Sequence, residues 1–495
     1  MAACDPPAGH VATSDDCNDS DAAINPSAVE VCHDGVDNDC DGVAALSCFP
    51  PSGTLPDRAE LFPGVASGDY AGAVAGLGDV NGDGWDDLAV GAYGNDDEGA
   101  DAGAAYLILG RADLTGRSLA GADATYTGAA AGDHAYYVAG PGDVDGDGLD
   151  DLVVGSPTAR DTEGTVALLL GRTAPVDTSL RAADATIVGT RASEWVGDAI
   201  DGLGDFNGDG FADYVVGSYH DADTLDDGGA AYVVLGSATP SEGELPDVGI
   251  AFAGKGANYS TATRVAGVGD VNGDGLADVA VSSLAGMGPR LVATEACLVL
   301  GLSVPEPRPL VEADATFTGV ASDGAITDIA AAGDVNGDGL GDLLIGMPFA
   351  NRGAPWAGAA YLVLGSATPS SSTLGEVGAI FAGEGQGDAA GYAVSTAGDI
   401  DADGLDDLVV GAPWHENGDG TVGAIYLVRG APVVPSGSLA LARAVYRPGT
   451  GLVGNGLSAA GDANGDGYGD TLIASLNDDS GGRDAGAAFL LFGGG

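Results

Sequence analysis

The nine residues Asp79-Val80-Asn81-Gly82-Asp83-Gly84-Trp85-Asp86-Asp87 decide how this chain is read. Side-chain oxygens at positions 1, 3, 5 and 9 can converge on one hard cation, with the carbonyl of position 7 turned toward it. A glycine at position 6 permits the sharp bend that brings both halves of the loop around the ion. Calcium is the natural occupant. Position 9 is Asp, whereas an EF-hand loop runs on to a bidentate Glu at position 12, and the flanks lack the apolar period of paired helices. The pattern therefore reads as a calcium loop between strands.

The loop recurs at Asp143, Asp205, Asp270, Asp334, Asp399 and Asp462, in steps of 64, 62, 65, 64, 65 and 63 residues. So regular a period means one structural unit copied seven times. The expected ligands in the first copy are Asp79, Asn81, Asp83, Asp87 and the carbonyl of Trp85. In the second they are Asp143, Asp145, Asp147, Leu149 and Asp151, and in the third Asp205, Asn207, Asp209, Phe211 and Asp213. The fourth copy offers Asp270, Asn272, Asp274, Leu276 and Asp278; the fifth Asp334, Asn336, Asp338, Leu340 and Asp342. The sixth offers Asp399, Asp401, Asp403, Leu405 and Asp407, and the last Asp462, Asn464, Asp466, Tyr468 and Asp470.

After each loop comes a short apolar run such as Asp151-Leu-Val-Val-Gly155, then a variable polar stretch, then a second run such as Ala105-Tyr-Leu-Ile-Leu-Gly110. Runs of four to six residues bounded by glycine read as buried strands. With a further element recurring around Phe62, Tyr126, Ile187, Phe252, Phe317, Phe381 and Tyr446, and the strand that leads into each loop, each repeat supplies four strands. Units of this kind build an all-β propeller, because radial repetition leaves only short, protected edges. Seven repeats predict seven blades over residues 58–495. The last copy stops at Leu491-Phe492-Gly493 without a fourth strand, while a spare one, Glu60 to Gly64, precedes the first copy. Residues 58–66 are thus expected to complete the last blade.

The aromatic segment, the Asp loop and Val-Gly-Ala-Tyr (90–93), Val-Gly-Ser-Pro (154–157) or Val-Gly-Ala-Pro (410–413) together resemble FG-GAP repeats. That resemblance implies the seven-bladed, calcium-binding propeller of the integrin alpha head and of many secreted bacterial proteins. Two departures stand out in the fourth copy: Val281-Ser-Ser-Leu284 replaces Val-Gly-Ala-Pro, and Cys297 stands where Tyr106 or Tyr232 stand elsewhere. That blade is expected to differ on its loop side. Integrin heads carry the calcium loop in only some blades, whereas all seven copies keep it here, so integrin-type partner recognition does not transfer.

Sixteen basic residues face 74 acidic ones, a formal charge of -58 that disfavours nucleic acid, an anionic membrane and a compact metal-free state. Seven calcium ions would leave about -44, a solvated acidic surface suited to a calcium-rich medium. With a dissociation constant of about 10 µM and about 1 mM free calcium, each loop would gain roughly 2.7 kcal/mol by linkage, which places the chain outside the cell or on its surface. No run reaches the ~18 apolar residues of a membrane span.

Residues 1–48 form a separate module with Cys4, Cys17, Cys32, Cys40 and Cys48, ten acidic residues and no Lys or Arg in the first 50. It is too small and polar to bury a core, so disulfides, metal or both must hold it. Residues 15–42 resemble an acidic, Cys-containing metal-binding motif of secreted bacterial proteins, with Asp16, Asn18, Asp21, Asp37, Asp39 and Asp41 as ligands of one or more further metal ions. Disulfides with calcium and a thiolate site for a softer metal both stay open. Residues 49–57, with Pro50, Pro51 and Pro56, read as a linker.

Function must come from the loops, because this fold hosts many activities. The calcium loops share one rim, which leaves the opposite face for a protein or glycan ligand. Tyr137, Trp195, His220, Arg352, Trp356, Trp414 and His415 are its candidate residues, since aromatics with a few charges suit such binding. No nucleophile motif or metalloprotease helix appears, and no catalytic residue is assigned. Two rival readings are a glycan-active lyase or hydrolase, using acid pairs such as Asp96-Asp97 or Asp226-Asp227, and a structural surface-layer or matrix protein.

Overall fold

The computed structural model describes residues 52–219, 228–256, 259–285, 293–320, 323–418, 421–448 and 452–494. The N-terminal cysteine module and His220 lie outside these residues. Seven antiparallel sheets form a ring of blades, each with its first strand innermost. Blade 1 runs Ala71–Gly78, Asp87–Ala92, Ala104–Ile108 and Ala124–Thr127 from the axis outward. The inner strands touch one another in sequence order, and that of blade 7 (Leu457–Gly461) touches that of blade 1, closing the circle.

After the Asp that opens each second strand, the second and third strands are mostly apolar because neighbouring sheets cover both of their faces. Asp87–Ala92 and Ala104–Ile108 are buried at every position. The core is accordingly divided into inter-blade layers; one packs Leu107 and Tyr126 of blade 1 with Val138, Leu152 and Val154 of blade 2. The glycine of each Val-Gly-Ala segment permits this close approach. A Cβ on Gly91 would stand 1.8 Å from the carbonyl oxygen of Tyr136 in the next blade's first segment. Blade 4 carries Ser282 at that position. Its hydroxyl accepts the Arg264 N–H at 2.8 Å and lies 2.9 Å from Thr263 Oγ1, and the inner strand is bulged between Thr261 and Val265. The strands there are longer, Tyr259–Gly269, Asp278–Ala285 and Ala293–Val299.

Outer edges are covered in a repeating way that is too short to read from sequence. A two-residue parallel strand from the following blade's connection pairs with each outer strand of the first five blades, as Thr178–Ser179 does with Tyr126–Thr127. For blade 6 that piece is Gly53–Thr54, paired with Tyr446–Arg447. The helical turn Leu55–Arg58 follows, with Leu55 fully buried, and then Ala59–Pro63 pairs antiparallel with Ala487–Leu491 of blade 7. The described part of the expected 49–57 linker is therefore packed on the ring: an apolar Leu55 and free strand edges on blades 6 and 7 make docking more favourable than solvation.

Candidate metal centres and the opposite face

Each acidic loop is held by hydrogen bonds from its own backbone. Asp79 Oδ1 accepts the N–H groups of Gly82 (2.7 Å) and Asp83 (3.1 Å), while Oδ2 accepts that of Gly84 (2.8 Å). Gly84 sits at φ 92°, a conformation costly for any residue with a Cβ. The bond from position 6 to position 1 recurs in all the other loops at 2.8–2.9 Å. The N–H of position 7 donates to the position 5 carboxylate, at 3.1 Å from Trp85 to Asp83 and similarly elsewhere. Asn81 Nδ2 donates to Asp83 Oδ2 at 3.0 Å, and Asn207, Asn272 and Asn464 repeat this contact.

Position 9 is the member buried in every loop. Asp87, Asp151, Asp213, Asp278, Asp342, Asp407 and Asp470 are all fully inaccessible. Each accepts the N–H of position 2 on one oxygen and that of the glycine closing the third strand on the other, 2.9 Å from Val80 and 2.8 Å from Gly110 in blade 1. Burial pushes Asp87, Asp151, Asp278 and Asp470 up to about 7, Asp213 and Asp342 to about 6 and Asp407 to about 8; the backbone donors oppose this and the loop carboxylates reinforce it. Outside blade 6, where Arg429 enters the loop, the buried carboxylate facing two others lacks a positive counterpart. Oxygen-only donors suit a hard divalent cation. In blades 2 and 6 position 3 is also Asp, and the carboxylate oxygens of Asp143, Asp145 and Asp147, and of Asp399, Asp401 and Asp403, lie within 4.8 Å of one another.

Neighbouring loops are tied together, a contact the spacing alone does not reveal. The N–H of position 8 donates to the carbonyl of position 1 in the preceding blade, as in Asp150 to Asp79 (3.1 Å) and Ala212 to Asp143 (2.9 Å). Where position 8 is Asp, its carboxylate accepts the position 1 N–H in return: Asp79 to Asp150, Asp334 to Asp406 and Asp462 to Asp86.

The loops between second and third strands, and the links from one blade to the next, lie at the other end of the strands. Trp195, Trp356 and Trp414 are exposed there by 37%, 63% and 45%. Trp414 packs its ring 6.2 Å from Phe349 and 5.9 Å from Tyr392, and Trp195 stands 5.8 Å from Tyr219. Tyr70 stacks on Tyr93 at 4.9 Å, which meets Tyr136 edge-on, and Tyr136 meets Tyr137. Tyr136, Tyr137 and Tyr392 reach the axial channel, a space of about 460 Å³ that Arg264, Asp198 and Asp328 also line. Arg352 and His415 are instead tied inward. Arg352 donates to Asp323 and Tyr361, and His415 Nδ1 lies 3.0 Å from Asp388 Oδ2 with its ring edge on Tyr426. The sequence reading omits Tyr93, Tyr219, Phe349 and Tyr392; Tyr93 and Tyr219 follow the Val-Gly-Ala or Val-Gly-Ser segments, and that position was their signal.

The FG-GAP repeat profile matches residues 71–108, 135–169, 327–363 and 390–428, that is, blades 1, 2, 5 and 6. Four of the ring's seven blades carry FG-GAP repeats. Integrin alpha-4 of Xenopus laevis is 32% identical over 169 residues, covering 30% of this chain and 14% of the relative. Integrin alpha-PS2 of Drosophila melanogaster is likewise 32% identical over 169 residues, covering 32% and 11%. The chain therefore spans only about a seventh or less of these relatives. A solved structure, BBS1N in complex with ARL6DN, aligns over 88% of this chain and 95% of its own at 10% identity and a TM-score of 0.47. In blades 3, 4 and 7, outside the matched segments, the acidic loops keep the same bonds from position 6 to position 1. The Cu-binding MopE metal-binding motif matches residues 16–45, so the N-terminal ligand candidates fall within it and outside the described residues.

Proposed function

We propose that this FG-GAP ring is an extracellular or cell-surface, calcium-bound adhesion or ligand-binding module, that its partner is a protein or glycan held on the face opposite the acidic loops, and that the N-terminal motif is a metal-binding appendage. The observation that carries the reading is segregation. Seven buried carboxylates with their loop partners lie at one rim, and the exposed tryptophans lie at the other.

Calcium, when bound, supplies positive charge to each carboxylate set. The residues of the chain do the rest: position 1 organises the turn, position 9 anchors it to the second and third strands, and the bonds between loops keep neighbouring blades in register. A ring held in this way presents Trp195, Trp356 and Trp414 from fixed strand ends, which lowers the ordering cost of binding. Among the described residues no helix is long and apolar enough to cross a membrane. The kinship with integrin alpha chains supports the adhesive reading.

The test is binding of the full chain to glycan and extracellular-protein arrays in calcium and in chelator, with product release from polysaccharides and self-association followed in parallel. Saturable, calcium-dependent binding without turnover supports the proposal. Product release would replace it with an enzyme, and calcium-driven self-association without any ligand would replace it with a structural role.

A further inference from the structure

The loop of blade 6 departs from its six counterparts in one coordinated way. Position 3 is Asp401, an extra carboxylate shared only with Asp145 of blade 2, and position 4 is Ala402 at φ 54°, where every other loop has glycine. The residue before the glycine that closes the third strand is Arg429; the other blades have Leu109, Leu170, Leu235, Leu300, Leu364 and Phe492 there. The guanidinium turns into the loop. Nε lies 2.8 Å from Asp401 Oδ2 and a terminal nitrogen 2.7 Å from Asp403 Oδ2.

Asp401 is fully buried, and Arg429 is about one third exposed. In four of the five loops with Asn at position 3, the position 5 carboxylate receives a neutral amide donor at 2.9–3.0 Å. Asp401 has no such donor, and Arg429 spans the two carboxylates instead. Blade 2 shows that the extra carboxylate alone does not demand an arginine, since Asp145 is accommodated beside Leu170. A fixed guanidinium and a divalent cation within one cluster of three carboxylates repel each other across a few ångströms of partly buried protein. The two cations are alternatives.

Resting on the calcium reading above, we propose that Arg429 is a built-in cation for the blade 6 loop, so that the ring takes six calcium ions and its seventh loop stays formed without metal. Calcium affinity at that loop is then lowered by roughly 100-fold relative to blade 2.

Two measurements on the full chain test this. Native mass spectrometry at about 0.1 mM free calcium, between the two expected affinities, should show about one more ion on Arg429→Leu than on the wild type; any ions in the N-terminal module cancel in that difference. Hydrogen exchange of the wild-type protein should show residues 399–407 equally protected in calcium and in chelator, while the other loops lose at least tenfold protection in chelator. An unchanged ion count in Arg429→Leu, or a blade 6 loop that opens in chelator like the rest, overturns the inference and leaves the calcium reading standing. If no loop responds to calcium, the calcium reading itself fails and this inference falls with it.

Discussion

Replacing Asp151 by Asn separates what this carboxylate does for the strands from what it does for a cation. Asp151 is inaccessible, accepts the Val144 N–H at 2.8 Å and accepts the Gly171 N–H at 2.7 Å. Asparagine retains one acceptor but turns an NH2 group toward the other donor, so one charge-assisted bond is lost, worth about 1.5–3 kcal/mol. In chelator near pH 7.5 that loss is partly offset, because burial raises the Asp151 pKa to about 7 and a costly buried charge disappears. The net loss in chelator is therefore expected at about 1–2 kcal/mol. With calcium at about 100 times its dissociation constant, the wild type gains roughly 2.7 kcal/mol at this site and the variant does not. Urea unfolding followed by tryptophan fluorescence, in chelator and in 1 mM calcium, should therefore show the variant's deficit growing by roughly 2.7 kcal/mol on adding calcium. A deficit of the same size in both conditions would refute the assignment of Asp151 as a ligand and leave it a strand anchor only.

Three further outcomes are expected. In chelator the melting temperature should fall as pH rises from about 5 to 8, because the position 9 carboxylates titrate at about 6 to 8 in the fold and near 4 when unfolded; the native state then holds the extra protons, and their stabilising effect is lost as pH rises through the folded values. Calcium should flatten most of that slope, leaving a remainder from Asp407 in the loop that Arg429 holds and from Asp201 and Asp328 in the channel, which burial raises to about 8, about 7 and about 6; a melting temperature that climbs with pH in chelator would contradict this. Phe62→Ala should cost about 3–5 kcal/mol, since the ring is fully buried, and hydrogen exchange at Ala487–Leu491 should rise before that of any other third strand. Trp356→Ala should leave the unfolding midpoint within about 0.5 kcal/mol yet weaken binding to whichever array ligand is found by at least about tenfold, and undiminished binding would remove Trp356 from the ligand face.

The seven-bladed fold is legible because the same physics acts on every copy. A second strand covered on both faces must be apolar beyond its opening Asp, and a turn at φ near 90° selects glycine, so each constraint writes the same residues at the same spacing. What sequence spacing does not carry are contacts between copies. The paired edge strands are only two residues long, too short to show an alternation; their trace is the Asp or Ser just before four of them, whose side chain accepts an outer-strand N–H, and the buried leucine that follows each. Ser282 signals a different blade 4 but not the bulge at Thr261 that makes room for its hydroxyl. On the opposite face, Arg352 and His415 look like free functional groups in sequence. Their partners Asp323 and Asp388 lie 29 and 27 residues earlier, in the link from the preceding blade, and only the folded blade brings them together.

Those contacts between copies also decide how loss of a cation would be felt. Each loop donates to the position 1 carbonyl of the blade before it, so a loop that opens releases a bond in its neighbour as well as its own. A ring is open to failure at its seam, and here the seam lies where Gly53–Thr54 meets the edge of blade 6 and Ala59–Pro63 completes blade 7. Gly469 of blade 7 donates to the carbonyl of Asp399, in the loop that Arg429 holds. The one loop with a cation of its own thus stands beside the only blade built from both ends of the described chain. A metal-independent loop at that place keeps one side of the seam formed while calcium is scarce, so refilling the remaining loops can proceed from a joined ring and avoids the closure entropy of re-forming it.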